Sequence, residues 1–172
     1  MGKTEVWPPW EVTSLERRLD ELRDAVAERP KTRSDDEQIW LTRFLVLRAC
    51  GYLEQAVHET LRGYLNQKSS GMVRAFTLSW IERSRNPTPA NLLGMVGRLD
   101  ANLLQQLTDF LEGDEKRIEN ELHLLIGRRH QIAHGLNEGL GSKKALEMVD
   151  TTKEVAAWFI RALNPHQSAR SQ

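Results

Sequence analysis

Apolar residues recur along this chain at intervals of three and four and almost nowhere in strict alternation, a period that predicts an all-α fold. From about Val12 to Glu28, Leu15, Leu19, Leu22 and Val26 form one stripe, while Arg17, Arg18, Asp20, Glu21 and Arg23 fill the other face. Such a helix packs on the rest of a bundle or on a partner helix. A second, longer helix opens at Ser34 and runs to about Gln67. Its start reads as a capping box, with Ser34 as N-cap and Glu37 three residues on. Val46, Ala49, Cys50, Leu53, Val57, Leu61 and Tyr64 share its apolar face, and Arg48, Gln55, Glu59 and Arg62 lie opposite. Gly51 inside this helix costs about 1 kcal/mol against alanine, which close approach of another helix would account for.

The pattern then shortens. A helix is expected from about Met72 to Arg83, followed by a loop from Ser84 to Pro89. Another begins at Thr88 or Pro89 and passes through Leu92, Leu93, Val96 and Leu99. A further short one covers about Leu103 to Leu111, and Gly113-Asp114 breaks it. A long helix follows from about Glu115 to His134, with Gly135 placed to end it in a left-handed conformation. Gly135, Gly139 and Gly141 make the next stretch a loop. The last helix runs from about Lys143 to Leu163, with Leu146, Val149, Val155, Trp158, Phe159 and Leu163 inward. These readings divide the chain into an N-terminal extension with an amphipathic helix (1–33), a helical domain (34–163) and a polar tail expected to be disordered (164–172). No internal repeat or domain linker stands out.

Composition narrows the function classes. The 172 residues fit one domain with a sizeable core. Lysine plus arginine equals aspartate plus glutamate, 24 each, so no global charge draws the chain to nucleic acid, and an RNA partner would need a local basic patch. Cys50 is the single cysteine, which leaves no disulfide framework or thiolate cluster within one chain. It reads as a buried core thiol rather than a nucleophile and suits a reducing, cytoplasmic setting. The segment from Met1 to Trp10 has no apolar core of the kind found in signal peptides, and no apolar run is long enough to span a membrane.

The chemistry concentrates in the helix that ends at His134. At about 100° per residue, Ile118, Leu122, Leu125 and Ile132 fall on one stripe, and Arg129 falls in its middle. An arginine among apolar neighbours needs a carboxylate, phosphate or carbonyl partner, from another helix, a second subunit or a nucleic acid. His123, His130 and His134 share a neighbouring edge, and His134 is the last helical residue before Gly135. Histidine suits acid–base work near neutral pH, and the C-terminal end of a helix favours cations. An Arg–His pair can support RNA cleavage, in which the adjacent 2′-OH attacks the phosphate and a cation stabilises the phosphorane. The planar guanidinium pairs two phosphoryl oxygens, and DNA lacks the attacking hydroxyl. Plainer readings stand beside this one. Arg129 could anchor a core carboxylate or a dimer contact. His130 and His134, four apart, could bind a metal, although no carboxylate or cysteine stands nearby at a suggestive spacing. His123 reads as a surface residue.

The stretch Leu124-Leu125-Ile126-Gly127-Arg128-Arg129-His130-Gln131-Ile132-Ala133-His134-Gly135 resembles the signature of HEPN domains: an arginine, four to six residues and a histidine at the end of an apolar helix. It looks most like the RiboL-PSP-type HEPN family of bacterial defence and toxin systems, whose form is close to R-N-x-I-A-H-G. Arg129, Ile132, Ala133, His134 and Gly135 match, and His130 replaces the usual asparagine. Phe44 to Leu65, with Arg48, Gly51 and Glu54-Gln55, looks like the family's long first core helix, and Asn91 to Phe110 like its pair of short helices. The resemblance covers about Ser34 to Leu163. It implies a HEPN-like bundle of four core helices plus short accessory helices, dimerising with two motifs facing across a cleft. For active members it implies metal-independent endoribonuclease activity, with no cofactor and no metal. Arg129 and His134 inherit the catalytic roles, with His130, Arg128, Glu54 and Arg48 as auxiliaries. The implied partners are an RNA substrate, a second copy of the chain, and an antitoxin or other defence-locus component. The alternative the family also contains is a non-catalytic dimerisation or RNA- or protein-binding module.

Overall fold

A computed structural model describes residues 6–81, 86–136 and 139–166. The expectations that concern 1–5, the helix end and loop at 82–85, the loop residues 137–138 and the tail at 167–172 lie outside the described residues. The described residues form helices α1 (Trp10–Ala27), α2 (Asp35–Lys68), α3 (Gly71–Ile81), α4 (Pro89–Gly97), α5 (Ala101–Ala133) and α6 (Ser142–Ala162), with no strand among them.

The central element is α2, which packs against α1, α3, α5 and α6. Its capping box is formed: Ser34 Oγ accepts from the Glu37 N–H at 3.2 Å, and Glu37 Oε2 accepts from the Ser34 N–H at 2.8 Å. Asp35, Asp36 and Glu37 add negative charge to the positive end of the helix dipole. Its buried face is wider than the expected stripe. Leu45, Tyr52, Ala56 and Leu65 join Val46, Ala49, Cys50, Leu53, Val57 and Leu61, because α2 is covered from several sides.

Around α2 stand α1, α5 and α6. Val12, Leu19 and Val26 of α1 are fully enclosed, and Leu15 and Leu22 pack beside them. From α6, Val149, Val155, Phe159 and the following Leu163 are buried, with Leu146 and Trp158 packed at the margin. Gln38 ties three elements at one end of the bundle: its Nε2 donates to Val26 O and to Ser142 Oγ, both at 3.0 Å. A buried amide with its partners in place holds those helices in register.

Two short helices lie to the side. Thr88 caps α4, accepting from the Asn91 N–H at 3.1 Å, and Pro89 occupies the first turn, where its missing N–H is harmless. By contrast α3 buries no residue at all.

Two expectations need correction. The break in α5 is longer than Gly113-Asp114: Asp114, Glu115 and Lys116 all have φ between 53° and 63°, so regular helix resumes at 117, two residues later than the sequence suggested. Gly51 is not a point of close helix approach, since a Cβ there would meet nothing within 4 Å. The crowded glycine is Gly63, where a Cβ would come within 2.7 Å of Pro9 Cγ. There the N-terminal segment crosses α2, and Trp7 Nε1 donates to Ile160 O of α6 at 2.9 Å.

Candidate functional site

After the break, α5 runs from 117 to 133 and turns Ile118, Leu122 and Leu125 into the core, with Ile132 half-buried. Arg129 continues the same stripe and is itself half-buried. It lies within electrostatic reach of Cys50 on α2. Burial pushes the Cys50 thiol up, the Arg129 guanidinium draws it back down, and Glu54, one turn further along α2, pushes it up again. Among the described residues, no hydrogen bond or ion pair engages Arg129. A partly desolvated cation without a partner is an unfavourable arrangement for a purely structural residue. Of the roles open to Arg129 from sequence, anchoring a core carboxylate therefore finds no counterpart among the described residues.

The end of α5 is built with full backbone pairing. His134 is the C-cap residue, and Gly135 follows at φ 71°. The Gly135 N–H donates to Ile132 O at 3.1 Å and the Leu136 N–H to Gln131 O at 2.9 Å. This two-bond closure requires a left-handed residue after the cap, which explains a glycine at 135. His134 is thereby fixed at the rim of the helix, exposed to solvent. Its ring meets the exposed His130 ring edge to face, with centroids 4.4 Å apart at 61°.

Ideal helical geometry separates Arg129 and His134 by about 140° around the axis and about 7.5 Å along it. The guanidinium thus belongs to the side of α5 that faces α2, whereas the imidazole pair belongs to an open side. Arg128 is half-buried and donates from Nη1 to Gln131 Oε1 at 3.3 Å. Glu54 is half-buried on α2 near Cys50 and also lines a cavity toward α3 and α4. Arg48 is half-buried on α2, and no bond joins it to Arg129 or His134 among the described residues. Arg129 and Glu54 thus both act electrostatically on Cys50, while His130 and His134 meet on the exposed side of α5. His123 is exposed, further up α5. The nearness of Cys50 to Arg129 had no signal in the sequence, since it depends on how α5 crosses α2.

Chemically, the arrangement offers a fixed positive charge and an accessible proton carrier at one end of a rigid helix. Among the described residues, no group of three or more His, Cys, Asp or Glu side chains is placed to hold a metal ion, and no helix is long and apolar enough to cross a membrane.

Residues 13–164 match the family model described as RiboL-PSP-HEPN, which is most of the chain and includes Arg129, His134 and Gly135. The match associates the chain with nuclease-type or RNA-related modules. Among curated proteins and solved structures, none matches it.

Proposed function

From the premise that the chain belongs to the RiboL-PSP-HEPN family, we propose that it is a metal-independent endoribonuclease acting as a homodimer, with Arg129 and His134 at the reacting centre. The observation that carries this reading is the half-buried Arg129 with no hydrogen-bond or ion-pair partner among the described residues, five residues before the exposed His134 on the same helix. A phosphodiester supplies the anion that the protomer does not. In the reaction, the ribose 2′-oxygen attacks the adjacent phosphorus and loses its proton, and the bond from phosphorus to the 5′-oxygen breaks. The products are a 2′,3′-cyclic phosphate and a 5′-hydroxyl. Arg129 binds the nonbridging oxygens and stabilises the charge that grows on them in the phosphorane. His134 moves the proton. Because one helix points the two groups in different directions, apposing two α5 ends lets each phosphate meet residues of both copies, and it supplies separate acid and base imidazoles. His130 lies against His134 and restricts its ring; Arg128, Arg48 and Glu54 shape the surrounding charge. The biological role this implies is that of a toxin or defence effector, restrained by an antitoxin or another component of its locus.

The test is cleavage of RNA by the purified protein in the presence of EDTA, followed on denaturing gels. Persistent cleavage that generates cyclic phosphate ends is the expected result. Activity that disappears with chelator, or reappears only with added divalent metal, counts against it. A second reading, a non-catalytic binding module, is favoured by the bare apolar face of α3, where Met72 is 90% and Phe76 76% exposed. It predicts a dimer that binds its partner without cutting RNA.

A further inference from the structure

A cavity of about 130 Å³ opens between α2, α3 and α4, and neither Arg129 nor His134 lines it. Its depth is apolar, formed by Val57, Leu61, Leu92 and Met95. At its edge the Arg98 guanidinium lies over the Trp80 ring, 5.0 Å from the centroid. The back is closed by His58, whose ring nitrogens are both occupied: Nε2 meets Ile81 O at 2.8 Å and Nδ1 meets Glu59 Oε1 at 3.3 Å. Asn91 is also on the wall. Its Nδ2 donates to Asn86 O at 2.8 Å, which orients the amide, and its Oδ1 has no hydrogen bond among the described residues. Gly94 also lines the slot, and an added Cβ there would meet nothing within 4 Å.

This is a largely apolar slot with an aromatic side chain, a cation lying over it and one oriented amide acceptor. We propose that it is a nucleobase subsite, holding a base of the RNA strand beside the phosphate bound at Arg129. The proposal rests on the endoribonuclease reading and adds to it the origin of base selectivity. Bases stack on indole and guanidinium faces whatever their identity, and those contacts supply affinity. Asn91 Oδ1 supplies the choice: it accepts from the exocyclic amino group that adenine, cytosine and guanine carry, where uracil offers only its ring N3–H. Continuity with the reacting centre runs along α2. Cys50 lies within electrostatic reach of Arg129, and Glu54, one turn on, lines the slot. Phe76 is one turn before Trp80 on α3 and 76% exposed, and it offers the next base a stacking surface outside the slot.

The experiment follows tryptophan fluorescence of the full chain while AMP, CMP, GMP and UMP are titrated separately. At least one amino-bearing nucleotide should quench saturably, with UMP at least tenfold weaker. Gly94→Leu fills the slot from an open position and should weaken that binding about tenfold or more. Trp80→Phe should remove the quench. Equal binding of all four nucleotides, no saturable quench, or a Gly94→Leu protein that binds as well as the parent overturns the subsite. Cleavage in EDTA without nucleotide binding sinks the subsite alone. Nucleotide binding without cleavage sinks the catalytic reading and leaves the slot.

Discussion

Charges along the α1–α6 and α5–α6 seams and the Arg129 charge near the end of α5 obey different rules. On the seams, four cations reach an anion on another helix. Lys153 reaches Asp20 at 2.7 Å and Glu16 at 3.4 Å, Arg23 reaches Asp150 at 3.2 Å, Arg117 reaches Glu154 at 3.0 Å, and Lys144 reaches Glu121 at 2.6 Å. At the end of α5, Arg129 is as enclosed as some of these, yet no described carboxylate pairs with it. Paired charges at half-exposed seams fix orientation and contribute modestly to stability. An unpaired, partly desolvated charge holds its interaction capacity in reserve for something that arrives from outside.

The contrast is broken most severely at the proposed reacting centre. Arg129→Ala should lower RNA cleavage at least a hundredfold, as should His134→Ala, from loss of phosphorane stabilisation and of proton transfer respectively. Gel-based rates measure both. The sharper point is stability: because Arg129 has no described partner to orphan, Arg129→Ala should leave the melting temperature unchanged or raise it. A fall as large as that of a core deletion would show that Arg129 is structural after all. Leu125→Ala supplies that yardstick. It removes a fully enclosed side chain one turn before Arg129 and should cost about 2–5 kcal/mol in denaturant unfolding.

Smaller effects belong to the paired side. Ser34→Ala removes the cap of α2 and should cost about 1 kcal/mol with no change in cleavage rate. Its pH dependence has a definite sign. The Glu37 carboxyl is held below its ordinary value of 4.5, first by its hydrogen bond to the Ser34 backbone and then by that to the Ser34 side chain. Its stabilising contribution is therefore present above pH 4.5 and fades as pH falls through the lowered value. The difference between Ser34→Ala and the parent in thermal melts should shrink there. The smallest change is Lys153→Ala, about 1 kcal/mol or less. Burial alone would lower the Lys153 pKa, but the hydrogen bond to Asp20 and the charges of Asp20 and Glu16 carry it above 10.5. Its stabilisation is complete below pH 10.5 and is lost as pH rises through the raised value, so the two proteins should converge at high alkalinity.

What could be read before the fold was known follows the range of the interactions. Ser34 with Glu37, Pro89 after Thr88, and Gly135 after His134 act within one turn, so residue identity sufficed to place those helix ends. Arg129 announced itself by falling on the stripe of Leu122 and Leu125. Local rules reached Gly113-Asp114 as a break but not its extension through Lys116, because left-handed backbone at Glu115 and Lys116 is not encoded by those residue types. The same rules misplaced the crowding at Gly51. Gly63 is the tight position only because Pro9, far away in sequence, crosses α2 there. The slot beneath Trp80 and Arg98 was equally out of reach, since three helices must meet to form it.

The enclosure of Cys50 has a practical consequence. The chain's one thiol is only 1% exposed and is held in its protonated form by burial, so it should resist alkylating dyes and spin labels in the native protein. The native sequence is thus already a clean background for site-directed labelling. Ala133→Cys, at an exposed position next to His134, would carry a single reporter per chain, and in the proposed dimer a pair of such reporters would act as a molecular ruler between the two α5 ends.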